Sequence, residues 1–464
     1  MQKLFDEVRS LDAKCYEKFG LSEDILMEHA ANGIADFIRA KFVKGSTVIV
    51  ACGSGNNGAD GLALARLLHG DYNVKIFYVK KPKSPMAILQ IDRAHAIGVK
   101  ATFQLNECDI LVDALYGTGF KGIFKNEAKS VIQTINKLNA YKIACDIPSG
   151  ISQNGECDED TFVADMTLTM GALKKSMFTD AAKEYVGKIR VLDLGVTRSY
   201  YESKSNWNLL DMSDLELPFR HKQNTHKGSF GHLCVLGGEK TGASMLSGLS
   251  ALKFGTGLVT MVCKKEPHNM PHSMMHTLCK PNNTTALAFG MGLGINYDTN
   301  ELNSFLDNKL PLIVDADIFS MQDVLKILKR KNVVITPHPK EFVSLLNITK
   351  IADISIKELQ NNRFKYSEMF CEKYPNITLL LKGANVIIGQ NSKFFINAYG
   401  TSALAKGGSG DVLSGLIGSL LAQGYSCLDS TINASLAHTK LSRNYKGADF
   451  SLTPEDLIEG IANL

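Results

Sequence analysis

Two successive series of apolar strand candidates, each alternating with helical patterns, restrict this chain to parallel-sheet architectures. In the first series the candidates fall at 47–51, 74–79, 110–115, 142–146, 166–170 and 188–192. Helical patterns such as ILMEHAANGIADFIRAKF and GLALARLLHG lie between several of them. The pattern lapses over 198–222, which holds the only tryptophan, and a domain junction is expected there. A second series opens at HLCVLGG (232–238) and runs through LVTMVC, ALAFGMGLG, LIVDAD, VVITPHP, ITLLLKG and NVIIG. At 464 residues the chain is too long for one ordinary core. Two α/β domains are expected, over 1–205 and 215–464.

Bulk properties exclude several classes of function. A net charge of +4 is small for this length and argues against a nucleic-acid binder, which needs a concentrated basic face. The longest apolar stretch, VLSGLIGSLLAQG at 412–424, is short and broken by glycine and serine, so it predicts a buried helix and no membrane association. The amino-terminal MQKLFDEVRSLDAKC lacks the apolar core of a signal peptide. Ten cysteines occur singly, with no C-x-x-C pair, which predicts reduced thiols and a cytoplasmic location.

In such sheets ligands bind beyond the carboxyl ends of the strands. The stretch VIVACGSGNNGADGLALARLL places Gly53, Gly55 and Gly58 in a G-x-G-x-x-G turn after a strand. A nicotinamide dehydrogenase also needs an acid at the end of the second strand, but NVKIFYVKKPK ends in Lys80 and Lys81. Three strand-end stretches make better sense together: GNNGADG (55–61), DALYGTGFKG (113–122) and DIPSG (146–150). Asn57, Asp113 and Ser149 offer only oxygen ligands, which suits a hard cation. Gly117 and Gly119 supply backbone amides that suit phosphate, and Asp146 is left as a carboxylate for proton transfer. Each of these residues could equally cap a helix or close a turn when taken alone. Their coincidence at three equivalent strand ends favours function.

This set resembles the NAD(P)H-hydrate epimerase family over roughly residues 1–200. The resemblance implies a hydrated-dinucleotide site lined by Asn56, Asn57, Gly58, Ala59 and Asp60, and by Gly117, Thr118, Gly119, Phe120, Lys121, Gly122 and Ile123. It also implies potassium at Asn57, Asp113 and Ser149, with substrate contact at Asp146. Ala59 stands where that family usually has glycine.

The second half carries ALAKGGSGDVLSGLIGSLLA (403–422). Gly407, Gly408 and Gly410 precede a helix, so its free amides and positive end can hold phosphate charge. Asp411 at the helix start fits a base that activates a substrate hydroxyl, although a first-turn acid also stabilises a helix. Lys382 and Gly383 at a strand end, and His338 with Glu341 in TPHPKEF, supply further candidates. These motifs resemble the NAD(P)H-hydrate dehydratase domain, a ribokinase-like fold, over roughly 210–464. The resemblance implies substrate contact at Ala243, Gly294, His338 and Asp411. It implies adenine nucleotide at Lys382, Gly383, Ala384, Asn385, Val386 and Gly410. Ser409 replaces a threonine, and Lys340 a glycine, of the family pattern.

The two halves in this order match a bifunctional NAD(P)H-hydrate repair family. The expected fold is an amino-terminal Rossmann-like three-layer αβα domain followed by a ribokinase-like α/β domain. The expected substrates are NADH hydrate and NADPH hydrate, with ADP as co-substrate, K+ in the first domain and Mg2+ with the nucleotide. A homo-oligomer is expected. The competing reading is a ribokinase-type small-molecule kinase fused to a non-catalytic nucleotide-binding module. A stable phosphorylated product would mark the former, and loss of Asp146 or the asparagine pair the latter.

Overall fold

The computed structural model describes residues 1–120, 123–124, 126–294, 297, 299–306 and 309–464. The chain divides into two compact units, Gln2–Ser205 and Asn206–Leu464.

In the first unit seven parallel strands form one sheet. From edge to edge they are Lys100–Thr102, Asn73–Tyr78, Thr47–Cys52, Ile110–Ala114, Tyr141–Cys145, Met166–Met170 and Lys188–Leu192. The chain starts in the middle, runs to one edge, then returns past its starting strand. The order therefore reverses between Thr47–Cys52 and Ile110–Ala114, where a Rossmann-like sheet opens a crevice. Register pairs Ala51 with Asp113, so the glycine turn and the DALYGTG loop leave the sheet side by side. Alternation along the central strand feeds two separate cores: Val48, Val50 and Cys52 face one helical layer, Ile49 and Ala51 the other. Helix Glu23–Lys41 covers one face. Ser22 caps it by accepting from the Ile25 amide at 3.3 Å, and its stripe of Met27, Ala31, Ile34, Ala35 and Ile38 enters the first of these cores. A separate parallel pair joins Gln2–Phe5 to Leu173–Lys174.

In the second unit the sheet order is Met275–Thr277, Leu258–Val262, His232–Leu236, Ala286–Phe289, Leu312–Val314, Val333–Ile335 and Ile377–Leu381, all parallel. An antiparallel pair, Val386–Gln390 and Lys393–Asn397, extends it, and Trp207–Leu209 pairs in parallel beyond them. A strand thus forms inside the stretch where no period is legible, because three residues are too few to show one. Helix Ser409–Ala422 has Leu416, Ile417 and Leu420 at 0% exposure, as the glycine-broken apolar run predicts. No helix of the described residues is long and apolar enough to cross a membrane.

Candidate active sites

A cavity of about 510 Å³ opens at the switch point of the first unit, lined by the glycine turn, the 115–120 loop and Asp146. The glycines divide their tasks. A Cβ at Gly53 would lie 2.0 Å from the Leu115 carbonyl oxygen, and one at Gly58 would lie 2.0 Å from that of Gly53. Both are needed so that backbone can pack on backbone; only Gly55 opens onto free space. Gly58 is buried in the turn and does not line the cavity. Ala59 does not line it either: its methyl is 0% exposed in the core, and its amide donates to the Gly55 carbonyl. Asn56, Asn57, Asp60, Gly117, Thr118, Gly119 and Phe120 do line the cavity. Ile123 is 83% exposed and does not, while Lys121 and Gly122 lie outside the described residues.

Asp113 and Ser149 are brought together. The Ser149 hydroxyl donates to Asp113 Oδ1 at 2.7 Å, and the Ser149 and Leu115 amides donate to the same carboxylate at 2.8 and 3.1 Å. Burial pushes the Asp113 carboxyl up to about 6 against these bonds, since no basic side chain among the described residues faces it. Asn57 packs against Gly117, and both polar atoms of its side-chain amide are buried without a hydrogen-bond partner among the described residues. The oxygens of Asn57, Asp113 and Ser149 are the donor type that suits a hard cation.

Asp146 stands in the left-handed region, with φ of 73°. That turn folds its carboxylate back onto the end of the Met166–Met170 strand, where Oδ1 accepts from the Met170 amide at 3.1 Å. The same oxygen pairs with Lys174, which is 1% exposed and also donates to Thr169 Oγ1 at 2.8 Å and to the Met170 carbonyl. The carboxylate expected to stand free is thus held by a buried ammonium. Lys174 has no counterpart among the residues expected from sequence. A lysine just beyond a strand end of the same sheet was the available signal.

In the second unit the strand ends again carry the polar groups. Lys382 donates to both oxygens of Asp315, at 2.7 and 2.8 Å, and Ser414 of the glycine-capped helix donates to the same carboxylate. A Cβ at Gly410 would sit 3.1 Å from the Lys382 ammonium, so this glycine admits the lysine to the helix start. Asp411 occupies the first turn of that helix. Burial pushes its carboxyl up to about 6, Asp315 adds to the rise, and Lys382 opposes it. The Gly294 amide donates to Asp317 at 2.8 Å, and the Ser247 hydroxyl donates to the Asp411 carbonyl from the helix that starts beside Ala243. Gly383 and Ala384 are exposed, Asn385 is buried and Val386 starts the antiparallel strand. His338 is less available than expected. Its Nδ1 accepts from the Glu341 amide and its Nε2 lies 3.2 Å from Glu341, so the ring caps helix Pro339–Ile348. Burial pushes Glu341 up to about 7, with Asp315 and Asp317 contributing negative charge.

Two family models match the chain: YjeF-related protein N-terminus over 23–176, and NAD(P)H-hydrate dehydratase over 233–463. A bifunctional NAD(P)H-hydrate repair enzyme of Helicobacter pylori is 44% identical, covering 100% of both chains. Relatives with the same description occur in Dictyoglomus turgidum, 31% identical over 98% of this chain and 96% of that one, and in Coxiella burnetii, 32% identical over 90% and 89%. The chain belongs to the bifunctional NAD(P)H-hydrate repair enzyme family. Its second unit carries the NAD(P)H-hydrate dehydratase domain of that family, and its first the YjeF-related amino-terminal domain fused to it.

Within this family assignment Asp315 emerges as the hub of the dehydratase domain, although LIVDAD announces only two acids after a strand. Its side chain is 3% exposed and that of Lys382 23% exposed. Breaking a buried pair by removing one partner leaves an uncompensated charge. Lys382→Met is expected to destabilise the chain by about 3 kcal/mol, and Lys382→Met with Asp315→Asn to recover most of that. Chemical denaturation of the three proteins measures both.

Proposed function

We propose that residues 1–205 interconvert the R and S epimers of hydrated NADH and NADPH, and that residues 215–464 dehydrate the S epimer at the expense of ADP. The observation that carries this is one chain with two strand-end sites of unlike chemistry. One has carboxylates and the Asn57 amide around a cavity large enough for a ring and its phosphates. The other has a raised carboxyl at the glycine-rich start of a helix.

In the dehydratase domain Asp411 takes the proton of the ring hydroxyl as it attacks the terminal phosphate of ADP, and AMP leaves. Lys382 and the Gly410 amide bind that nucleotide, and departure of phosphate from the ring, with loss of a proton from the neighbouring ring carbon, restores the double bond. Four acids, Asp315, Asp317, Glu341 and Asp411, stand around Lys382, a negative balance that fits a magnesium ion on the nucleotide. In the epimerase domain Asn57, Asp113 and Ser149 hold potassium, which offsets part of the substrate's phosphate charge. Lys80, which lines the cavity, adds a further positive charge.

The test is incubation of the full chain with mixed epimers of NADPH hydrate and ADP, following the absorbance of restored NADPH. Complete conversion is expected. A stable phosphorylated product supports the small-molecule kinase instead.

Potassium has its own readout. A ligand that binds only the folded state raises stability by about 1.4 kcal/mol at ten times its Kd. Potassium at that level, against equal choline chloride, should raise the melting temperature of the first unit by roughly 3–6 °C. Asp113→Asn should remove the increment. An equal rise in that variant places the ion elsewhere.

A further inference from the structure

Carboxylates and cationic side chains meet at the cavity of the first unit. Asp12, Glu23, Asp60 and Asp146 line it with Arg9 and Lys80, and the buried Lys174 pairs with Asp146. Asp12 accepts from the Tyr201 hydroxyl at 2.7 Å. The hydrogen bonds of the Asp146 carboxylate all fall on Oδ1, from Lys174, Thr169 and Met170, which leaves Oδ2 for the cavity. Asp60 makes no hydrogen bond or ion pair to any described residue, yet it is only 8% exposed. Lys174 spends its three N–H bonds on Asp146, Thr169 and the Met170 carbonyl and has none left for Asp60.

We propose that Asp60 is the proton donor and acceptor of epimerisation, working on the same bound ring as Asp146, with Lys174 as the positioning residue that fixes Asp146. This rests on the epimerase reading above. Asp60 gives its proton to the ring hydroxyl, and the C–O bond breaks with its electron pair leaving as water. The lone pair of the adjacent ring nitrogen forms the C=N bond of an iminium ion, whose positive charge faces the Asp146 carboxylate. Water then adds to the opposite face of the same carbon and returns its extra proton to Asp60. Only configuration changes.

The surroundings favour the protonated form of Asp60. Burial pushes its carboxyl well above the usual carboxylate range, Asp146, Asp12 and Glu23 raise it further, and Lys174 opposes them. Asp12 is raised by burial too, but the Tyr201 hydroxyl already occupies its Oδ1.

The test is interconversion of purified R and S epimers by the full-length protein, read by chromatography across pH. Asp60→Asn should lower kcat by roughly two to four orders of magnitude with KM within about threefold. The wild-type rate should fall as pH rises through the Asp60 titration, and the variant should lack that fall. Lys174→Met should lower kcat with KM little changed. If it does not fold, Lys174→Met with Asp146→Asn removes both charges, and should fold while remaining slow. Undiminished kcat in Asp60→Asn, or a change in KM alone, overturns the pair while the epimerase reading stands. A wild-type chain that leaves either epimer unchanged overturns both.

Discussion

Asp411→Asn is expected to slow dehydration of the S epimer by roughly two to four orders of magnitude, or about 3–5 kcal/mol in the barrier. Asparagine keeps the size of the side chain but cannot take a proton. Its fold cost is small, because a first-turn acid stabilises a helix by only about 0.3–1 kcal/mol. Nucleotide affinity should persist, since Lys382 and the Gly410 amide are untouched. Acidity gives a second signature. The Asp411 carboxyl is pushed up to about 6, and a base works only when ionised, so wild-type kcat/KM should fall as pH drops through that value. Absorbance of restored NADPH measures the rate, and calorimetry with ADP measures the affinity. A variant that dehydrates at the wild-type rate removes Asp411 from the chemistry.

What could be read from the sequence follows from burial. Strands covered on both faces appear as continuous apolar runs, so the two series and their order were legible, and with them the strand ends where ligands bind. The glycine turn was legible as a necessity but not in its reason. Gly53 and Gly58 meet neighbouring backbone, and only three-dimensional packing shows that Gly55 alone opens outward. Lys174 had only its place beyond a strand end to mark it, because GALKKSM looks like a solvated charge. It is buried only because Leu173–Lys174 pairs with Gln2–Phe5 from the far amino terminus, and a local pattern carries no trace of such pairing. Asp12 and Tyr201, 189 positions apart and hydrogen-bonded to each other, also line the cavity. His338 was singled out as a ligand because two prolines hold it rigid. The capping box with Glu341 explains that rigidity by local structure.

Asp146→Asn should lower epimerase turnover by roughly two to four orders of magnitude without slowing dehydration of the purified S epimer. Asparagine tolerates the left-handed backbone of this position better than most residues. It can still accept from the Met170 amide, so the turn should persist. What it loses is charge, and Lys174, 1% exposed, is left without its anion. Stranding a buried ammonium costs about 3–5 kcal/mol, so the first unit should also melt earlier. Added potassium should not restore turnover, because the ion's proposed ligands are Asn57, Asp113 and Ser149. Rates are therefore to be taken below the lowered melting temperature, on R epimer for the first unit and on S epimer for the second. With mixed epimers and ADP, the variant should restore NADPH only up to the S fraction and then stall. If it also fails to convert pure S epimer while its second unit remains folded, the two activities are not divided between the domains as proposed.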